Sequence, residues 1–143
     1  MSFDELYQEI ILEHYRHPRN KAELGHLRDA VVRENPACGD SIRLEARFDR
    51  AGKLSSLRYD GRGCAISTAS ASMMSELLAG LPAAEARQRV DEILGLLRGG
   101  PGAAEKLASY GDLAALAGVI KFPVRVKCAS LAWHAAAQAL REV

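Results

Sequence analysis

Apolar and polar residues alternate most regularly just before residue 50. The apolar positions there are Ile42, Leu44, Ala46 and Phe48, and each is followed by a polar or charged side chain. This period of two predicts a half-buried strand. The Asp-Arg-Ala-Gly turn at 49–52 lets residues 54–59 return as its hairpin partner, and 30–35 offers a shorter strand. The pattern therefore predicts a three-stranded antiparallel sheet.

Most of the remaining chain has helical periodicity. Residues 3–16 form an amphipathic pattern that ends before Pro18, and from residue 67 onward the sequence is almost wholly helical. Breaks are expected at 80–82, 98–102, 111–112 and 118–123. The last helix, 123–141, carries Val124, Cys128 and Leu131 near one face. We expect an α+β fold, a three-stranded antiparallel sheet covered on one side by about five or six helices, in one domain spanning 1–143.

Composition and charge narrow the class of protein. The 143 residues are 48% hydrophobic, and 19 basic side chains nearly balance 18 acidic ones. No segment concentrates Lys and Arg, so neither nucleic acid nor an anionic membrane is an expected partner. The first residues have no signal-peptide pattern, and no run of 18 apolar residues occurs. A cytoplasmic protein is the expectation.

Three cysteines, Cys38, Cys64 and Cys128, are the candidate chemistry. An odd number of cysteines in a chain that can bury a core argues against a disulfide framework. Cys38 and Asp40 lie just before the alternating strand, and Cys64 lies where the sheet ends. Because neighbouring antiparallel strands place the start of one beside the end of the other, these residues should lie close together. Cys128 would arrive on the last helix.

Three thiolates and one carboxylate suit the tetrahedral preference of zinc. The competing interpretation is that each cysteine is a small buried core residue and Asp40 only a turn residue. Spacing alone leaves these two interpretations about equal. The four histidines, His14, His17, His26 and His134, are expected to be exposed or packed in the core, and Trp133 is expected in the core.

Three sequence blocks resemble the signatures of the SufU type, within the broader family of IscU and NifU scaffold proteins. The blocks are Asn-Pro-Ala-Cys-Gly-Asp at 35–40, Gly-Arg-Gly-Cys-Ala-Ile-Ser at 61–67 and Lys-Cys-Ala-Ser-Leu-Ala-Trp at 127–133. The resemblance runs essentially end to end. IscU-type scaffolds have His where this chain has Lys127 and a Leu-Pro-Pro-Val-Lys motif where it has only Phe-Pro-Val-Arg. Those departures, with the longer spacing between Cys64 and Cys128, favour the SufU branch.

The resemblance implies a zinc site and a sulfur-transfer role. Zinc would be held by Cys38, Asp40, Cys64 and Cys128. Cys38, in a loop flanked by Gly and Pro where local movement costs little, would accept sulfur from a SufS-type cysteine desulfurase. The sulfur would then pass to a downstream Suf scaffold complex. Arg125 and Lys127 are candidates for supporting the site or contacting the partner. Two alternatives stay open: a scaffold that holds a [2Fe–2S] cluster on the same residues, and an adaptor whose metal only supports the fold.

Overall fold

The computed structural model describes residues 3–24, 30–35 and 39–141, with the backbone alone for residues 3 and 4. Its elements in chain order are α1 (Phe3–Arg16), β1 (Val31–Asn35), β2 (Asp40–Phe48), β3 (Leu54–Arg62), α2 (Ala65–Leu78), α3 (Ala83–Leu97), α4 (Ala103–Ala108), a 3₁₀ helix (Gly111–Gly118) and α5 (Pro123–Arg141). The predicted α+β class is confirmed.

The sheet is antiparallel, with the strands in the order β1-β2-β3. Leu44 on the central strand lies opposite Val31 on one side and Tyr59 on the other, and all three side chains are buried. At the hairpin turn, the Asp49 carboxylate accepts hydrogen bonds from the backbone N–H groups of Ala51 and Lys53 at 2.9 and 3.0 Å. The predicted strand alternation and turn are both confirmed.

The other face of the sheet carries charged pairs. Glu45 lies directly opposite Arg58, and its carboxylate accepts hydrogen bonds from the Arg58 guanidinium, the shorter at 2.7 Å. Hydrogen bonding to Arg58, which outweighs the effect of burial, lowers the pKa of Glu45, and Arg47 adds to this shift. On this face of the sheet, charged side chains therefore pair with one another.

Helices cover the face that Leu44 occupies. α5 packs on β1 and β2, and α2 packs on β3 and α5. Trp133 is fully buried, as predicted, and its indole N–H donates to Ser70 Oγ at 2.9 Å. Val124 shares the helical face of Cys128 and Leu131, as predicted, but it is 65% exposed. It lies in the first turn of α5, where residues 121–125 are exposed, and sustained burial begins only at Cys128.

The stretch between the predicted breaks near 111 and 118 forms the 3₁₀ helix. Its buried side chains include Leu113, Ala115 and Leu116, and it packs on α1 and α4. This segment therefore joins the amino-terminal helix to the core. Among the described residues, no helix combines the length and the apolar character that crossing a membrane requires.

Candidate metal centre

Strand register brings Asp40 and Cys64 together. Asp40 begins β2, and its neighbour Ser41 pairs with Arg62, the last residue of β3. The chain leaving β3 therefore passes Asp40 before α2 begins. Cys64 is the N-cap of α2, and its backbone N–H donates to Asp40 Oδ1 at 3.1 Å. The proximity that the hairpin pairing predicts is confirmed for these two residues.

Two glycines permit this close approach. Gly61 has φ of +144°, and a Cβ there would lie 2.2 Å from the carbonyl oxygen of Ser41. At Gly63, a Cβ would lie 2.7 Å from the Cβ of Ser67 and 3.7 Å from Asp40 Oδ1. Contacts under 3 Å with backbone or a fixed Cβ force a shift of the neighbour. The end of β3 and the connection to α2 must therefore lack side chains at these two positions.

Ser67 connects the two cysteine-bearing helices to Asp40. Its hydroxyl lies 2.5 Å from Asp40 Oδ2 and 3.2 Å from the carbonyl oxygen of Cys128, and its backbone N–H donates to Cys64 Sγ at 3.5 Å. The sequence analysis missed this serine as a site residue. Its signal was its position three residues after Cys64, where an N-cap side chain meets the helix backbone.

The potential donor atoms of Asp40, Cys64 and Cys128 all lie within 4.8 Å of one another. Cys64 Sγ is 3.9 Å from Asp40 Oδ2. Ordinary zinc–sulfur and zinc–oxygen bonds at a tetrahedral angle would place these two atoms about 3.6 Å apart. Asp40 and Cys128 are buried, whereas Cys64 is exposed. The donor set and its spacing fit zinc, with one side open to solvent.

The other predicted site residues have different placements. Cys38, predicted as fourth ligand and sulfur acceptor, lies outside the described residues, as does His26. Arg125 and Lys127 are exposed on the first turns of α5, and the Arg125 guanidinium stacks 4.6 Å from the centroid of the Phe122 ring. Asn35, which pairs with Asp40, is the last residue of β1. The described donors thus lie beside the strand end from which the chain enters residues 36–38.

A second cluster of metal-ligand residue types lies beside the middle of α2, with His14 on α1, Glu76 on α2 and Asp112 in the 3₁₀ helix. His14 is fully buried; its Nδ1 is 2.7 Å from Ser72 Oγ and its Nε2 is 2.7 Å from Asp112 Oδ2. Glu76 Oε1 is 3.9 Å from Nδ1. Because an ionised carboxylate only accepts hydrogen bonds, Nε2 carries a proton and donates to Asp112. We call His14, Ser72 and Asp112 the His14 cluster.

Comparison with known proteins identifies close relatives across the whole domain. Residues 6–141 match the model of the NifU-like N terminal domain. The zinc-dependent sulfurtransferase SufU of Bacillus subtilis is 40% identical over 136 residues, covering 94% of this chain and 88% of the relative. The iron–sulfur cluster assembly scaffold protein IscU of Streptococcus pyogenes is 38% identical, covering 95% and 83%.

Solved structures share the fold. A crystal structure of a protein without an assigned function has a TM-score of 0.83 at 37% identity and covers 97% of this chain and 99% of its own. A Fervidobacterium islandicum protein described as an iron–sulfur cluster assembly scaffold for the SUF system has a TM-score of 0.75 at 27% identity, with 97% of this chain and 99% of its own chain covered. The three-stranded sheet with its helical cover is therefore the architecture of this group.

Proposed function

Because the chain belongs to the family of NifU-like N-terminal domains, which includes proteins of iron–sulfur cluster assembly, we propose that it is a zinc-dependent sulfur relay in that process. The observation that carries the proposal is the meeting of Asp40, Cys64 and Cys128 at the end of the sheet, with donor atoms within 4.8 Å. The sulfurtransferase relative, similar over 94% of the chain, supports the same role.

In this proposal Asp40, Cys64, Cys128 and Cys38 hold zinc. When bound, zinc would keep coordinating thiols deprotonated at neutral pH. Ser67 fixes the Asp40 carboxylate and ties it to the backbone of Cys128, so the ligands from β2 and α5 keep one relative position. Buried Asp40 and Cys128 form the inner side of the site, and exposed Cys64 marks the side that a partner can reach.

Cys38 is the proposed sulfur acceptor, and the donor is the persulfide of a SufS-type cysteine desulfurase. The Cys38 thiolate attacks the outer sulfur of that persulfide, a new S–S bond forms, and the old S–S bond breaks. The desulfurase cysteine leaves as a thiolate, and Cys38 carries the persulfide. No external oxidant or reductant is consumed. A downstream scaffold of the Suf system then receives the sulfur.

A trapping experiment tests this role. The zinc-loaded protein is incubated with a SufS-type desulfurase and cysteine, alkylated, digested and analysed by mass spectrometry. We expect a persulfide on the peptide that contains Cys38, and the peptides that contain Cys64 and Cys128 serve as internal controls. A persulfide that forms on the desulfurase but never reaches Cys38 would show that this chain is not the acceptor.

A cluster scaffold is the second candidate, favoured by the similarity to IscU of Streptococcus pyogenes over 95% of the chain. Three thiolates and a carboxylate are also acceptable ligands for a [2Fe–2S] cluster. A brown protein with stoichiometric iron and acid-labile sulfide would support the scaffold. An adaptor with purely structural zinc would instead bind zinc and leave desulfurase turnover unchanged.

A further inference from the structure

A concave surface with a positive charge lies beside the candidate metal centre. It has a volume of about 310 Å³ and is formed by the end of β1, the first half of α5 and the residue that follows α3. Its basic side chains are Arg33, Arg98, Lys127 and His134, and we call this surface the cationic hollow. Glu34 is the one acidic side chain among its lining residues.

The arginines and the lysine of the hollow lack carboxylate partners in the described part of the chain. Arg33 donates to the neutral Gln138 side chain at 3.4 Å, and no ion pair within 4.0 Å joins Arg33, Arg98 or Lys127 to a described carboxylate. Elsewhere, Arg58 pairs with Glu45 at 2.7 Å. The positive charges of the hollow are thus left available, whereas Arg58 and Arg47 on the other face of the sheet share the Glu45 carboxylate.

The positive charges of the hollow also affect the pKa of His134. Burial lowers its pKa, and the nearby charges of Arg33, Arg98 and Arg141 lower it further. Every charge that shifts this imidazole is positive. The geometry of the hollow and the titration of His134 therefore indicate the same uncompensated potential, which an anionic group would offset.

The position of the hollow links it to sulfur transfer. Lys127 directly precedes Cys128 in α5, and Asn35, which also lines the hollow, pairs with Asp40. A partner seated there would contact the protein at the strand end that leads into residues 36–38. Since Val126 and Leu131 add apolar surface between the charges, the hollow resembles a protein interface more than a phosphate site.

We propose that the cationic hollow docks an acidic segment of the desulfurase and so orients its persulfide toward the candidate metal centre. This inference rests on the proposed function and adds the surface of recognition. Carboxylates on the partner would pair with Arg33 and Arg98, whose planar guanidinium groups suit bidentate contacts. Because the charges are largely solvated, they would act mainly on the association rate and would weaken with salt.

Charge reversal tests the docking surface. The affinity of the zinc-loaded protein for a purified SufS-type desulfurase is measured at 50 and 500 mM salt, for the wild type and for Arg33→Glu/Arg98→Glu. We expect the double variant to bind at least about tenfold more weakly at the lower salt concentration and to approach the wild type at the higher one. Zinc content and melting temperature are measured to verify that each variant is folded.

The matched control is Arg50→Glu/Lys53→Glu, which makes the same change in net charge at exposed positions of the β2–β3 turn, at the far end of β2. We expect less than about a threefold loss of affinity from this control. If the reversals in the hollow prevent folding, Arg33→Gln/Arg98→Gln replaces them, with a smaller expected loss in the same direction.

The outcomes separate this inference from the proposed function. Wild-type protein that neither binds nor stimulates the desulfurase would overturn both. Wild-type binding that the hollow variant shares unchanged, or loses no more than the control does, would overturn the docking surface and leave the sulfur relay standing. Inorganic phosphate that shifts the His134 NMR signal without reducing desulfurase binding would also overturn it, since the hollow would then be a site for small anions.

Discussion

Two polar clusters on the same helix contrast in their chemistry. At the start of α2, Ser67 joins Asp40, Cys64 and Cys128, and the thiol of Cys64 remains exposed. One and a half turns later, Ser72 joins His14 and Asp112, and both nitrogens of the buried ring have a hydrogen-bond partner at 2.7 Å. The first cluster thus has one exposed and one buried thiol, whereas the ring nitrogens of the second are hydrogen-bonded inside the fold.

The difference shows that residue type and proximity do not make a metal site. The potential ligand atoms of His14, Glu76 and Asp112 lie within 4.8 Å of one another, as do those of Asp40, Cys64 and Cys128. The His14 cluster, however, contains no thiol, and both nitrogens of its buried ring have protein partners, whereas the site at Asp40 has two cysteines, the softer ligands that zinc accepts. The His14 cluster instead fastens the 3₁₀ helix to α1 and α2, which gives it a structural role.

Removing a thiol ligand should have the largest effect. Cys64→Ala deletes a proposed zinc donor, so we expect bound zinc to fall well below one per chain and stimulation of the desulfurase to be lost. Elemental analysis and alanine release from cysteine measure the two effects. Full zinc occupancy in the variant would contradict the assignment of Cys64 as a ligand.

Removing the buried imidazole should destabilise the fold without affecting zinc. His14→Ala leaves Ser72 and Asp112 without their shared partner and opens a cavity, so we expect a loss of about 3 kcal/mol in the free energy of unfolding. Urea titration measures this loss, and exposed His17→Ala is the matched control. Loss of zinc at an unchanged free energy of unfolding would contradict the structural role of the His14 cluster.

Two serine variants compare the clusters, because each removes a single hydroxyl group. Ser67→Ala removes the hydroxyl contacts with Asp40 and the Cys128 carbonyl, so we expect zinc affinity to fall about 10- to 100-fold. Ser72→Ala removes the contact with His14 and should lower stability by about 1–2 kcal/mol at unchanged zinc affinity. Competition with a chelator measures zinc affinity, and urea titration measures stability, for both variants. Lower zinc affinity in Ser72→Ala than in Ser67→Ala would contradict the prediction.

A smaller effect concerns pH and His134, the partly exposed histidine of α5. Because the pKa of His134 is lowered in the folded protein, the unfolded chain binds more protons, and stability should fall as the pH drops through about 6.5 and below. His134→Gln should flatten this slope between pH 7.5 and 5. Urea titrations at several pH values measure it, and an unchanged slope would contradict the shift.

Much of the fold follows from local patterns. The alternation at Ile42 and Leu44 and the turn at 49–52 predicted both hairpin strands, because period and turn chemistry are local properties. Helix positions were predicted for the same reason. Val124 lies on the same helical face as Cys128 but is exposed, because periodicity reports which face is apolar and not how much of that face is covered.

The site was predictable only in part. Hairpin pairing placed Asp40 near Cys64, since register follows from topology. Ser67 had a local signal, its position three residues after Cys64, but the His14 cluster needed the tertiary structure, because Ser72 and Asp112 lie 58 and 98 residues after His14. The role of Cys38 came mainly from family resemblance, and those of Arg125 and Lys127 came from their positions near Cys128; all three stay predictions.

The central claim, a zinc-dependent sulfur relay, is tested most directly by relating metal content to desulfurase turnover. Samples of the protein with graded zinc loading are added to a SufS-type desulfurase, and alanine release from cysteine is measured alongside zinc, iron and acid-labile sulfide. We predict one zinc per chain at full loading and alanine release that rises with the zinc-loaded fraction. Protein that carries iron and sulfide and gives no stimulation at any zinc loading would contradict the relay and favour the scaffold.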